Sequence, residues 1–148
     1  PTDPLKAVEC FRRAADAGCL GAMHDLAICY KNGVGVKENQ KTAFGLLKKA
    51  AEGGYHQSQF YVGVRYMEGN GVKRNEEAGI EWIKKSHEGG IPFALHQMSV
   101  FYSNGIRGIA RDTKKAFELI KEASEKGYLP ATHDLALCYL NGDGVQKN

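Results

Sequence analysis

Histidines stand where a helix could present them to a metal ion or a substrate. They are His24, His96 and His133, and the first and last are each followed by an aspartate. Imidazole and carboxylate groups together can ligate zinc or act as a general base. A cysteine follows two of these histidines at the same distance, which adds a candidate nucleophile. The remaining members of the set are Asp25, Asp134, Cys29 and Cys138.

A glycine-rich turn recurs along the chain and fixes the spacing of these residues. Its leading glycines step by 36, 36 and 37 residues and are Gly33, Gly69, Gly105 and Gly142. A second series keeps the same steps and consists of Gly18, Gly54, Gly90 and Gly127. A fixed period of this length indicates a stacked repeat array. The candidate reactive groups therefore occupy equivalent positions of different repeats, which argues for repeat identity rather than for one active site.

Each repeat is expected to contain two helices, termed A and B. Glycine stops and apolar residues at helical spacing predict A helices over residues 19–31, 55–67, 91–103 and 129–140. B helices are predicted over residues 4–17, 40–52, 76–88 and 113–126. Their N-cap residues are Asp3, Asn39, Asn75 and Asp112. The predicted fold class is all-α, an α/α solenoid with a period of 36–37 residues.

The chain begins and ends near equivalent cap positions, Asp3 and Asn148, and neither end supplies a polar capping repeat. We therefore expect one solenoid segment belonging to a longer array. Its parts are helix B over 4–17, repeats over 19–53, 55–89 and 91–126, and a last A helix with its turn over 128–148. The unpaired apolar helix faces at both ends predict end-to-end association of the isolated segment.

One residue pattern runs through an A helix, the turn and the next B helix. In its first full copy it consists of Ala22, His24, Leu26, Ala27, Cys29, Tyr30, Gly33, Gly35, Val36, Lys41, Ala43, Lys49, Ala50, Ala51 and Gly54. This pattern resembles the Sel-one-like repeat (SLR), a longer-looped relative of the tetratricopeptide repeat. The resemblance covers essentially the whole chain. It implies a right-handed superhelix of antiparallel helix pairs with the A helices on its concave wall.

The resemblance also implies a function as an adaptor. Members of the family are scaffolds in endoplasmic-reticulum degradation complexes, regulators of chitin synthesis, or bacterial proteins of host interaction and signalling. The chain departs from the family pattern at two positions. An aromatic residue is usual where the three histidines stand, and only Phe60 conforms. Glycine is usual after the A-helix leucine, and only Gly63 conforms.

One face of the predicted A helices lies opposite their packing residues and is not mostly charged. We term it the A-face and predict that it lines a groove for a peptide or partner protein. Its residues are His24, Asp25, Ile28, Gln57, Phe60, Tyr61, Val64, Phe93, His96, Gln97, Val100, His133, Asp134 and Leu137. For the column of Phe60 and the three histidines, half-buried packing against the neighbouring A helix is the open alternative. The column of Ile28, Val64, Val100 and Leu137 favours the groove.

Neither a metal site nor a catalytic site is predicted. Neighbouring helices lie about 8–10 Å apart, whereas zinc ligands lie about 2.1 Å from the metal. His24, two repeats from His96, therefore cannot share an ion with it. His96 and His133 could converge, but the sequence pattern has no cluster of cysteines or carboxylates that would complete a metal site. The glycine turns follow helices, unlike phosphate loops, which follow strands. We predict no cofactor, and a hydrolase that uses His96 or His133 remains a remote alternative.

Composition and charge bear on nucleic-acid binding, membrane insertion and the cellular compartment. The net charge is +3, and the basic pairs of the B helices are interspersed with glutamates, so we predict a solvated face and no nucleic-acid partner. The sequence contains no run of about 18 apolar residues, so no membrane span is predicted. The four cysteines show no CxxC spacing, and we expect Cys10 and Cys19 to be buried. These features favour a reducing compartment, such as the cytoplasm.

The sequence thus predicts a non-catalytic scaffold that binds a peptide or protein on the A-face. The alternative is a structural spacer that only separates or orients other domains of a longer chain.

Overall fold

The computed structural model describes residues 2–145, and within them the chain forms eight α-helices of thirteen residues each. The B helices are α1 (Pro4–Asp16), α3 (Gln40–Glu52), α5 (Glu76–Glu88) and α7 (Thr113–Glu125). The A helices are α2 (Leu20–Asn32), α4 (His56–Glu68), α6 (Pro92–Asn104) and α8 (Leu129–Asn141). This described part has no β-strand, only an isolated bridge between Ile106 and Ile109 in the longest turn. The predicted all-α fold is confirmed, and every predicted helix end lies within one residue of the observed end.

Side-chain caps begin the B helices. In each of the four, the cap oxygen accepts a hydrogen bond of 2.9–3.1 Å from the backbone N–H three residues later. These caps are the predicted Asp3, Asn39, Asn75 and Asp112. Such a bond satisfies one of the N–H groups that a helix start leaves unpaired. The further predicted cap, Asn148, lies outside the described residues.

The chain divides into two compact units, unit 1 (Pro1–Ser86) and unit 2 (His87–Asn148), with the boundary in the last turn of α5. Within unit 1, consecutive helices pack from α1 to α4, and within unit 2 they pack from α6 to α8. The core of unit 1 includes Leu26, Leu47 and Val62. The stacking of neighbouring helix pairs is thus observed inside each unit.

Small residues let the helices of unit 1 approach closely. A Cβ atom on Gly63 would lie 2.6 Å from Cγ1 of Ile83 and 2.8 Å from the carbonyl oxygen of Gly79. Helices α4 and α5 therefore touch nearly backbone to backbone at this point. At the position equivalent to Gly63, α2 has Ala27, which is fully buried. The family glycine at this position is thus a packing requirement, which alanine also meets where the partner helix leaves room.

The second glycine of the turn rests on the start of the preceding B helix. A side chain on Gly35 would overlap the carbonyl group of Pro4, and one on Gly71 would overlap that of Gln40. In unit 2, Gly144 lies in the same way against the carbonyl group of Thr113. These glycines also have positive φ angles of 69°, 73° and 71°. Each turn is therefore fixed in place both by its backbone conformation and by contact with a neighbouring helix.

The expected burial of Cys10 and Cys19 is wrong, because both side chains are exposed. The equivalents of Cys19, Tyr55 and Tyr128, each pack on a histidine of the preceding A helix. Among the described residues, no A helix precedes α2, so Cys19 has no equivalent histidine to pack against. At the other end, α8 exposes apolar side chains, including Leu129 and Leu140. End-to-end association through such side chains stays a prediction.

Alanine substitutions should separate the two constraints on the turn glycines. Gly54 has a φ of +94° and open space around its Cβ position, so Gly54→Ala tests the backbone conformation alone. We expect it to lower the free energy of unfolding by about 1–2 kcal/mol. Gly71→Ala adds the overlap with Gln40, and overpacking adds about 1–3 kcal/mol. Urea denaturation of both variants measures the difference, and equal losses would show that the turn does not rest on α3.

Candidate functional site

In unit 1, the first residue of the A-face is an interior one. His24 is 7% exposed, and a hydrogen bond of 2.9 Å joins its Nδ1 to Oγ of Ser58 on α4. The rings of Tyr55 and Tyr61 lie 5.4 Å from its own, centroid to centroid. Burial lowers the pKa of His24, and the negative charge of Asp25 opposes this shift. His24 therefore joins α2 to α4 as a neutral, hydrogen-bonded packing residue.

The other A-face residues of unit 1 form a partly open aromatic and aliphatic surface. The half-buried Tyr61 packs edge-to-face with Phe60, with 5.9 Å between the ring centroids. The ammonium nitrogen of Lys31 lies 5.5 Å from the centroid of the Tyr61 ring. Ile28 and Val64 are half-buried as well. The exposed side chains beside them are Asp25 and Gln57. This part of the A-face thus offers apolar contact area with polar groups beside it.

In unit 2, a carboxylate joins two histidines. Nε2 of His96 donates a hydrogen bond of 2.8 Å to Oδ2 of Asp134, and Nδ1 of His133 lies 3.3 Å from Oδ1. The hydrogen bond from His96 is the largest cause of a lowered pKa of Asp134; burial opposes it, and His133 adds to it. Asp134 therefore carries a negative charge on this face at neutral pH.

The remaining A-face residues of unit 2 are graded in exposure. Phe93, Gln97 and Val100 on α6 are half-buried, whereas Leu137 on α8 is 42% exposed. His133 is exposed too. The apolar column that favoured a groove is thus accessible to some degree at each of its four positions, and the histidine column ranges from buried to exposed.

The histidine column repeats one contact in both units. His24 packs on Tyr55 and His96 on Tyr128, each at 5.4 Å between ring centroids. Both tyrosines immediately precede the first residue of the next A helix. A ring at the histidine position thus packs against a ring one repeat later, which explains why an aromatic residue also suits this position.

The described geometry offers little for catalysis. Ser58 and His24 have the hydrogen bond of a nucleophile and its base, but Ser58 is 0% exposed and a substrate cannot reach it. Ser99 donates its hydroxyl proton to the backbone oxygen of His96, at 2.6 Å, and not to the ring. Within residues 2–145, no three His, Cys, Asp or Glu side chains are placed to hold a metal ion. None of the described helices has the length and apolar character needed to cross a membrane.

The burial of one charged side chain, that of Arg65, was not predicted from the sequence. Arg65 on α4 is 3% exposed, and its Nη1 donates a hydrogen bond of 2.6 Å to Oε1 of Gln40 on α3. The signal was present in the sequence, because the equivalent positions of the other repeats hold Cys29, Phe101 and Cys138, and none of these is charged. An arginine at an otherwise uncharged repeat position indicates a specific partner for its guanidinium group.

The model of the Sel1 repeat, the family also called SLR, matches residues 1–19, 21–55, 56–90, 92–128 and 129–148. The chain belongs to the Sel1 repeat family. Sel1 repeat proteins are generally protein-interaction scaffolds, and they generally mediate protein binding. The Sel1 repeat fold is typically non-catalytic.

Two crystal structures show the same fold over the whole chain. A Sel1 repeat protein from Oxalobacter formigenes is 28% identical, with a TM-score of 0.92. A protective antigen present in uropathogenic Escherichia coli strains, which displays an SLR fold, is 30% identical, with a TM-score of 0.85. Each match covers 100% of this chain, but only 42% and 32% of those two proteins. No significant match is found among curated proteins.

The buried His24 should make the stability of the protein depend on pH. Its pKa is below the usual 6.5 in the folded state, so between these values the unfolded state binds the extra proton. The contribution of His24 to the free energy of unfolding is therefore fully present above pH 6.5 and decreases as the pH falls below this value. His24→Phe removes this titration, and the aromatic ring suits the position. Urea denaturation at pH 7.5 and 5.5 should show a smaller fall for the variant.

His133→Phe is the matched control, because His133 occupies the equivalent position but is exposed. It should retain the fall between the two pH values. An equal fall in the parent and His24→Phe would show that His24 does not cause the dependence.

Proposed function

We propose that the chain is a scaffold that binds a peptide segment of a partner protein through the A-face. The observation that carries the proposal is the character of this surface. Its fourteen residues include no lysine or arginine, although Lys and Arg make up 20 of the 148 residues of the chain. Depletion of charge around aromatic and aliphatic side chains is typical of the centre of a protein interface.

The partly exposed apolar side chains supply the contact area for this binding. Tyr61 and Val64 on α4, and Phe93 and Val100 on α6, would pack against aliphatic side chains of the peptide. Burial of such groups stabilises a complex by about 25 cal/mol per Å² of apolar surface, before the cost of association is subtracted. Apolar anchors of this kind give a solenoid its affinity for a peptide.

The polar groups of the A-face determine which charge the bound peptide should carry. Its two carboxylates are the exposed Asp25 and the half-buried Asp134, and its Gln57 and Gln97 can both donate and accept hydrogen bonds. A peptide that combines aliphatic side chains with a lysine or arginine therefore matches the surface. Complementary charge contributes more to orientation and association rate than to affinity.

Replacing the aromatic side chains of the A-face with alanine should weaken the interaction. We expect the Phe60→Ala/Tyr61→Ala/Phe93→Ala protein to lose a partner that the parent captures from native cell extract. Loss of interface anchors costs about 2 kcal/mol or more, roughly a thirtyfold loss of affinity. Helix content, measured by circular dichroism, should stay unchanged, and titration calorimetry with the captured partner gives the affinity ratio.

The control variant is Lys49→Ala/Lys85→Ala, which changes exposed side chains of the B helices and should bind as the parent does. Loss of binding in this control alone would transfer the site to the B helices. Capture of nothing by the parent would instead favour the spacer.

A further inference from the structure

Unit 2 contains a cavity of about 270 Å³ between the start of α7, the C-terminal part of α8 and the turns that follow α6 and α8. None of the A-face residues lines it, so it is independent of the proposed peptide site. The residues that decide its chemistry are Arg111, Thr113, Phe117, Cys138 and Asp143.

Unit 1 has a set of residues in the same register, and there an arginine occupies the space. Cys138 and Arg65 both lie four residues before the glycine that ends their A helix, and Thr113 and Gln40 are both the first residue of a B helix. Two long side chains of unit 1 are therefore replaced by two short ones in unit 2. The cavity lies at the position of these two shorter side chains.

The contacts of Arg65 show which group this space accepts. Its Nη1 donates to Oε1 of Gln40 at 2.6 Å. Gln40 in turn donates from Nε2 to the backbone oxygen of Lys31, at 3.0 Å, and to Oε1 of Glu38, at 2.7 Å. The buried guanidinium group of Arg65 is thus held through Nη1 by a chain of hydrogen bonds that ends on the Glu38 carboxylate, whereas its Nη2 has no hydrogen-bond partner among the described residues.

We propose that the cavity of unit 2 binds a guanidinium group supplied by a ligand. Asp143 lines the cavity, whereas the equivalent residue near Arg65 is the uncharged Asn70. This carboxylate provides the negative charge that an incoming cation requires. Phe117 lines the cavity and packs edge-to-face with Tyr139; aromatic rings are groups on which a planar guanidinium stacks well, and the hydroxyl oxygen of Thr113 can accept a hydrogen bond.

The other ionisable groups of the cavity are compatible with a cation. Burial raises the pKa of the Cys138 thiol, and Asp143 and Asp134 add to this shift, so the thiol is neutral at pH 7. Arg111 and Asp143 both line the cavity with exposed side chains, so solvent weakens the charge of each. A cation in the cavity is attracted by Asp143 and repelled by Arg111.

The test is an NMR titration of the protein with N-acetyl-arginine amide, whose only charge is the guanidinium group. We expect saturable shifts of the backbone amides of Phe117, Cys138 and Asp143. N-acetyl-citrulline amide has the same shape without the charge and should bind at least about tenfold more weakly, because a charge-assisted hydrogen bond contributes about 1.5–3 kcal/mol. Equal affinity for both probes, or no binding of the arginine probe, would overturn the proposal.

Two substitutions locate the probe through its charge. Asp143→Asn should weaken the arginine probe about tenfold or more, whereas Glu125→Gln, an exposed carboxylate of α7 outside the cavity, should leave it unchanged. Arg111→Ala should tighten binding. Unchanged affinity in Asp143→Asn, or weaker binding in Arg111→Ala, would contradict a cation in this cavity.

Filling the cavity from within is an independent check. Cys138→Arg combined with Thr113→Gln recreates the pair of unit 1 and should abolish binding of the probe, because the internal guanidinium group takes the place. Unchanged binding in the folded double variant would place the probe elsewhere and refute the proposal. If the double variant does not fold, the affinity of Asp143→Asn for the arginine probe still tests the proposal.

The source of the guanidinium group is distinguished by a second ligand. Binding of a capped peptide Gly-Ser-Arg-Ser-Gly at least about tenfold tighter than the single-residue probe would assign an arginine of a partner protein. Equal affinities would assign a free guanidino compound.

Discussion

The repeat depends on the contact between the turn and the start of the preceding B helix. Backbone atoms of Pro4 and Gln40 occupy the space that side chains on Gly35 and Gly71 would need, and Thr113 does the same for Gly144. Because the turn rests on a helix end that a side-chain cap defines, the A and B helices keep a fixed relation. Residues one period apart therefore return to equivalent positions, and a surface such as the A-face becomes possible.

Equivalent positions then differ in burial and contacts through their side chains. His24 is buried against Ser58, whereas His133 at the same position is exposed beside Asp134. The position that holds the buried Arg65 in unit 1 holds Cys138 in unit 2, where a cavity opens. A Sel1 repeat array can thus change the burial and the packing at one position by one or two substitutions, while its turns and caps stay intact.

The sequence predicted what depends on neighbouring residues along the chain. Caps such as Asn39 and stops such as Gly33 act within one helical turn, so the helix bounds followed from them. Burial depends on the adjacent repeat. The exposure of Cys10 was therefore missed, and so was the Arg65–Gln40 pair, which joins residues 25 positions apart. The histidine column stayed open for the same reason, since only the contact of His24 with Ser58 on the next A helix shows packing.

The most direct test of a peptide-binding A-face is site-specific photo-crosslinking. Benzoylphenylalanine would replace Val64 in unit 1 or Val100 in unit 2, and Lys49 or Lys85 on the B helices as controls. After irradiation with the partner, we expect a crosslink from each of the two valine positions, mapped by mass spectrometry to a short segment of the partner. Crosslinks only from the lysine positions would contradict this expectation and place the partner on the B helices.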